Sequence, residues 1–140
     1  MKKYYTSLII LILCFFDAVA LKVPEIQTLR QRPDTIGLYQ KFEVSFNINN
    51  GNEYTNPFDP EEVDISAVFI SPSGKKWTIP GFYYYSAGTL WKVRFSPDEE
   101  GVWNYTVSVK DKGGETTTPS MKFVAFSLAF FCCAGDSTEV

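Results

Sequence analysis

Short stretches in which apolar and polar residues alternate fill the centre of this chain. Between Phe42 and Ile48 every second residue is apolar and the residues between them are polar. The same period of two recurs from Trp91 to Phe95 and from Trp103 to Val109. Because successive side chains of a β-strand point to opposite faces of a sheet, each stretch predicts a strand with one buried face.

Turn-forming residues separate these stretches from further candidate strands. The segment from Val63 to Ile70 is rich in β-branched residues, and Ser71–Gly74 follows it as a tight turn. Lys75 to Ile79 and Ser120 to Phe126 complete the set, and nothing after residue 20 keeps a 3.6-residue period. The pattern therefore predicts an all-β fold, an Ig-like or fibronectin-like antiparallel β-sandwich of seven or eight strands. Trp103 is expected to pack in its core, and Tyr105 either in the core or as a tyrosine corner.

The first twenty residues have a different pattern. Lys2 and Lys3 precede an apolar stretch from Leu8 to Phe16, and small residues stand at Ala18 and Ala20. This order is typical of a helical secretory signal peptide cleaved after Ala20. A membrane anchor would need about 20 apolar residues. We therefore expect a signal peptide over 1–20, a sandwich domain over 21–126, and a secreted, periplasmic or cell-surface location.

The composition limits the kinds of functional site that this protein can contain. The chain has 140 residues, a formal net charge of −3 and a sequence pI near 4.9. The chain has no histidine, which excludes Ser-His-Asp sites and histidine metal ligands. Its acidic balance argues against a nucleic-acid partner. Two of its three cysteines, Cys132 and Cys133, are adjacent, which strains a bridge between them. The third, Cys14, lies in the predicted signal peptide, so no disulfide is expected inside the domain.

Carboxylates occur in two groups, over residues 59–64 and 98–100. A glycosidase needs two carboxylates that face each other across a sugar, and a small sandwich offers no deep cleft for one. We interpret both groups as solvated turns. The segment Asn49–Glu53 is rich in oxygen ligands but lacks the spacing of a calcium loop. No catalytic residue, metal site or cofactor is therefore predicted.

A dense aromatic segment is the candidate binding or interface site. Trp77 is followed by four consecutive aromatic residues, Phe82, Tyr83, Tyr84 and Tyr85. Neighbouring residues of a strand point to opposite faces, so these four cannot all enter the core. Exposed tyrosine and tryptophan rings suit sugar stacking or a protein interface. The alternative is ordinary burial on both faces under a loop.

Several motifs, taken in order, resemble a known family. They are Asn56–Asp64 (NPFDPEEVD), Ser71–Lys76 (SPSGKK), Ile79–Tyr84 (IPGFYY), Trp91–Pro97 (WKVRFSP) and Glu100–Tyr105 (EGVWNY). Together they resemble the Ig-like domain of unknown function found at the N-terminus of bacterial secreted glycoside hydrolases. The resemblance covers about residues 22–123. It implies a domain without catalytic residues that precedes a TIM-barrel catalytic domain.

The C-terminus departs from that pattern. Instead of continuing into a barrel, the chain has a largely apolar stretch from Phe123 to Cys133, too short for a stable membrane span, inside an atypical tail over 127–140. This ending predicts a truncated or frame-shifted product.

The expected function is a non-catalytic accessory module of an exported carbohydrate-active enzyme. Its expected partner is a catalytic glycoside hydrolase domain, with polysaccharide as a further candidate. The alternatives are a free-standing glycan-binding or adhesion sandwich and, much less favoured, a hydrolase in its own right.

Overall fold

The structure is a computed structural model that describes residues 21–49, 54–85 and 89–127, without the side chains of Tyr85, Thr89 and Leu90. The predicted signal peptide over 1–20, the predicted tail beyond Ser127 and most of the Asn49–Glu53 segment lie outside the described residues.

Strands and turns account for the architecture, and the described part of the chain contains no helix. There are ten strands in these residues. They are β1 Glu25–Arg32, β2 Thr35–Gly37, β3 Phe42–Asn49, β4 Val63–Ile70, β5 Lys76–Pro80, β6 Phe82–Tyr85, β7 Thr89–Phe95, β8 Gly101–Asp111, β9 Gly114–Thr117 and β10 Met121–Phe126. No helix among the described residues is long and apolar enough to cross a membrane.

The strands form two sheets. The first sheet has the order β1-β3-β7-β6, and the second has the order β2-β10-β8-β4-β5, with β9 paired to β8. The prediction of an all-β sandwich is confirmed. Two details differ from the prediction. The described residues form ten strands rather than seven or eight, and β10 and β2 pair in parallel. Strands β2 and β9 have only three and four residues, too few to show a clear alternation. Strand β1 has eight residues, but only Ile26 and Leu29 among them are apolar and they do not alternate.

The core lies between the sheets and is built from the alternating apolar residues. Trp103 is fully buried, and its indole Nε1 donates a hydrogen bond to the Glu99 carbonyl oxygen at 2.9 Å. Aromatic rings from both sheets meet at the centre, where Phe69 stacks on Phe95 with ring centroids 4.2 Å apart. Phe42 stacks on Phe123 at 4.0 Å. The expected core position of Trp103 is therefore observed.

Tyr105 takes the core alternative rather than the corner. Its ring is almost fully buried, and its hydroxyl lies 2.5 Å from Oε1 of Gln31 on β1. A tyrosine corner would instead bond the backbone a few residues upstream. Burial, together with the negative charge of Asp34, raises the pKa of Tyr105 well above its ordinary value, so the hydroxyl stays protonated and keeps this link between the two sheets.

The chain crosses from the second sheet to the first between β5 and β6, at Gly81. The Gly81 N–H donates to the Ile65 carbonyl oxygen at 2.7 Å, and a Cβ at Gly81 would lie 2.3 Å from Ile65 Cγ2. Only glycine fits this approach without a shift of its neighbours. The crossing places β5 and β6 at corresponding edges of the two sheets, and the aromatic segment follows this edge.

Candidate functional site

The aromatic residues of β6 are divided between two faces. Tyr83 points toward the interior, where its ring contacts Trp91 at a centroid distance of 5.1 Å and Phe58 at 5.5 Å. Phe82 and Tyr84 lie on the outer face, and Tyr84 is 41% exposed. Tyr85 is the last residue of β6, and the structure does not describe its side chain. The alternation that the sequence implied is therefore present for the described side chains.

On the outer face, cations from β7 cover the two rings. Lys92 Nζ lies 4.0 Å from the centroid of the Tyr84 ring, and Arg94 Cζ lies 5.0 Å from the centroid of the Phe82 ring. Glu43 of β3 joins the two cations, since its carboxylate oxygens lie 2.8 Å from Lys92 Nζ and 2.8 Å from Arg94 Nε. We call these five residues the cation–aromatic face.

Glu43 is the electrostatic centre of this face. Its partial burial alone would raise the pKa of the carboxyl group. The hydrogen bonds and positive charges of Lys92 and Arg94, with a smaller effect of Lys41, outweigh burial and lower the pKa of Glu43 below its ordinary value of 4.5. Glu43 therefore stays ionised, and the face is held together by charge-assisted hydrogen bonds.

Trp77 does not join the tyrosines. It lies on β5 in the second sheet, paired in register with Phe69, and points into the gap between the two sheet edges. That gap is a groove of about 350 Å³, which we call the edge groove. It is lined by Lys41, Trp77, Ile79, Arg94, Phe95, Ser96 and Asp98. Arg94 is the one residue that belongs to both the edge groove and the cation–aromatic face. Trp77 and the β6 aromatic residues, expected as one site, therefore lie in two adjacent but separate places.

A second, smaller cavity of about 250 Å³ lies between β6 and the loop that precedes β4. Phe58, Tyr83 and Trp91 line it with prolines of the loop, Pro57 and Pro60. Phe58 is 70% exposed. Its ring contacts the Tyr83 ring and is otherwise largely open to solvent.

Another exposed apolar group lies at the opposite edge of the second sheet, where β10 ends. Val102 of β8 and Val124 of β10 are paired in register and are 48% and 40% exposed. Tyr39 follows β2, is 72% exposed and has a φ of 61°. The residue before it, Leu38, donates its N–H to the carbonyl oxygen of Phe126, the last residue of β10. We call Tyr39, Val102 and Val124 the exit patch.

The carboxylates that flank the turns are occupied by hydrogen bonds. Glu62 Oε2 accepts the backbone N–H groups of Thr55 at 2.7 Å and Asn56 at 3.1 Å. Glu99 accepts the Ser73 hydroxyl at 2.9 Å and the Ser73 N–H at 3.2 Å, and this hydroxyl hydrogen bond lowers the pKa of Glu99. These contacts support the interpretation of both acidic groups as turns. Among the described residues, no three Asp, Glu, Cys or His side chains are grouped so that they could hold a metal ion.

Sequence reasoning missed four residues that shape the candidate site. Glu43, Lys92 and Arg94 alternate with apolar neighbours, which indicates an outer face but not which aromatic rings lie beside them. Asp98 was interpreted only as a turn residue, yet it lines the edge groove. Each contact joins strands far apart in the sequence, so no local pattern could reveal it.

Two solved structures show a weak similarity to this chain, each with a TM-score below 0.5. A structure from Bacteroides vulgatus ATCC 8482 named a "putative glycoside hydrolase" is 23% identical over 69% of this chain, with a TM-score of 0.49. The chain spans 17% of the length of that protein. A CARDB domain from Pyrococcus furiosus, solved in complex with di-metal ions, is 12% identical over 76% of this chain and 94% of its own, with a TM-score of 0.42.

Comparison of sequences assigns the chain to a family. No curated protein matches the chain. The profile of one family, "Domain of unknown function (DUF5060)", matches residues 35–110, from the start of β2 almost to the end of β8. This span is more than half of the chain and contains all five motifs on which the resemblance rested, so that resemblance to a domain of unknown function is confirmed. The chain belongs to the DUF5060 family.

Proposed function

We propose that this chain is a non-catalytic accessory module of an exported carbohydrate-active enzyme, and that it packs on and positions a glycoside hydrolase barrel. The observation that carries the proposal is the exit patch. The family resemblance implies a catalytic domain that follows this one. The exit patch includes Val124 of β10 itself and Tyr39, whose neighbour Leu38 is hydrogen bonded to the last residue of β10.

The geometry of the exit patch suits a docking surface. Val102 and Val124 face outward from adjacent strands, while Trp103 and Phe123 beside them are buried. Exposed apolar side chains on adjacent strands are typical of interaction sites. Tyr39 presents its ring from a left-handed backbone conformation, which costs a non-glycine residue free energy. Its N–H donates to the Pro97 carbonyl oxygen at 2.8 Å, which holds that conformation.

A module that only docks on a catalytic domain through this surface needs no catalytic residues of its own. Glu62 and Glu99 are used in turns and Glu43 between cations, while the described lining of the edge groove has one carboxylate, Asp98, and that of the second cavity has one, Asp64. A retaining or inverting glycosidase would need a pair of free carboxylates across a cleft. Export through the expected signal peptide would place the module with an enzyme that degrades extracellular glycans.

The test measures binding of the full chain to a separately expressed glycoside hydrolase barrel from a relative that contains both domains. We expect saturable binding by calorimetry. The triple variant Tyr39→Asn, Val102→Thr, Val124→Thr should bind at least about tenfold more weakly. Asparagine tolerates the left-handed backbone and threonine keeps the β-branched shape, so the fold is retained.

The control is Tyr84→Ser on the opposite sheet, which should leave barrel binding unchanged. Loss of binding in the control, with normal binding in the triple variant, would move the docking surface to the cation–aromatic face. Absence of binding to any barrel would contradict the accessory function.

The second candidate function is a free-standing glycan-binding or adhesion sandwich. The edge groove favours it, because a partly exposed tryptophan lies there among polar side chains. Binding of saccharide by the chain without any affinity for a barrel would favour this alternative.

A further inference from the structure

The edge groove contains polar atoms that the fold itself leaves without partners. The indole Nε1 of Trp77 and the carboxylate Oδ1 of Asp98 are both buried, and neither has a hydrogen-bond partner among the described residues. Both residues line the groove. One atom is a donor and the other is an acceptor. A buried donor or acceptor without a partner costs about 1–3 kcal/mol, so a ligand that satisfies both atoms would gain free energy.

The charged side chains at the groove are already engaged in ion pairs. Lys41 and Arg94 each lie within 4.0 Å of Glu43, at 3.8 Å and 2.8 Å. Asp98 uses its other oxygen, Oδ2, toward Lys75 Nζ at 3.6 Å. A charged ligand would have to compete with these ion pairs. The polar atoms that remain match a neutral ligand that both donates and accepts hydrogen bonds.

The walls add an apolar surface of suitable size. Ile79 and Phe95 line the groove beside the indole ring. The volume of about 350 Å³ exceeds the share of one water molecule about tenfold and falls within the range of small-molecule sites. Lys75 Nζ lies 4.1 Å from the Trp77 ring centroid and covers one ring face.

We infer that the edge groove binds a neutral saccharide, one or two residues of a glycan chain. After a side-chain shift that opens both atoms to the groove, sugar hydroxyls accept from Trp77 Nε1 and donate to Asp98 Oδ1, and the C–H face of the sugar ring packs on Ile79 and Phe95. This site is separate from the exit patch, so it stands whether or not the chain docks on a barrel.

Intrinsic fluorescence gives a direct measurement on the full chain. The chain has three tryptophans, and Trp91 and Trp103 are buried in the core with 2% and 0% exposure. A change in emission therefore reports mainly on Trp77. The probes are the neutral pentasaccharides cellopentaose, mannopentaose, xylopentaose and maltopentaose. At least one should give a saturable change with a Kd at or below about 1 mM.

Calorimetry on matched variants then locates the site. Trp77→Phe removes the indole donor but keeps an aromatic ring, and Asp98→Ala removes the acceptor. Each should weaken binding about tenfold. Asp98→Asn keeps an Oδ1 acceptor and removes only the charge, so its affinity should stay close to that of the natural chain. Near-ultraviolet circular dichroism checks that every variant is folded.

Two results would overturn the inference. One is no response to any of the four probes, which would mean that the groove holds water only. The other is unchanged affinity in both Trp77→Phe and Asp98→Ala. Barrel binding through the exit patch is expected to be normal in Trp77→Phe, so failure here is distinguishable from failure of the accessory function.

Discussion

At the scale of single residues, Glu43 shows how charge holds an exposed surface in one arrangement. Its pKa in the folded chain lies below its ordinary value of 4.5, because two cations donate to its carboxylate. A carboxyl group with a lowered folded pKa stabilises the fold above its unfolded pKa, and this contribution is lost as the pH falls through the folded value. The contribution is therefore complete at neutral pH and absent in strong acid.

Glu43→Gln should accordingly reduce stability at neutral pH but not in acid. We expect the free energy of unfolding to fall by about 1 kcal/mol at neutral pH, since charge-assisted hydrogen bonds to Lys92 and Arg94 are replaced by weaker ones. Near pH 2 the two proteins should unfold at about the same urea concentration. Urea titrations at both pH values measure this difference. An equal loss of stability at both pH values would show that Glu43 acts through packing rather than charge.

At the scale of an element, β6 turns four consecutive aromatic residues into two different surfaces. Tyr83→Ser should cost about 2 kcal/mol, because its partly buried ring contacts Trp91 and Phe58. Tyr84→Ser should cost less than about 1 kcal/mol, because it loses mainly the contact with Lys92. Thermal unfolding of the two variants compares neighbours of the same residue type. Equal costs would contradict the assignment of the two faces.

This strand also shows how far a sequence can predict the site. The period of two correctly indicates that at least one ring of Phe82–Tyr85 is exposed, because the side chain of Tyr84 is exposed in the structure. It does not indicate that Lys92 covers that ring, because this contact depends on the register between β6 and β7, which the alternation alone does not specify. Trp77 was grouped with the tyrosines by proximity in sequence, but the crossing at Gly81 places it on the other sheet.

At the scale of the whole molecule, the fold follows from alternation and the grooves follow from topology. Stretches such as Trp103–Val109 carry the signal for one buried face, which is why the sandwich and its core are predictable. The edge groove arises because β5 and β7, in different sheets, meet at the edge without being hydrogen bonded to each other. Its polar atoms come from Trp77 and Asp98, which no local pattern connects.

The crossing at Gly81 connects the two sheets, and its stability can be tested by a double-mutant cycle. Gly81→Ala should destabilise the chain by about 1–3 kcal/mol, because the new Cβ would lie 2.3 Å from Ile65 Cγ2. Ile65→Ala alone should also be destabilising, since it removes a buried core side chain. In the double variant the clashing methyl group is gone, so its total cost should be smaller than the sum of the single costs. If urea unfolding instead gave a double-variant cost equal to the sum of the single costs, the methyl group introduced at residue 81 would not clash with Ile65. The close approach at residue 81 would then not require glycine.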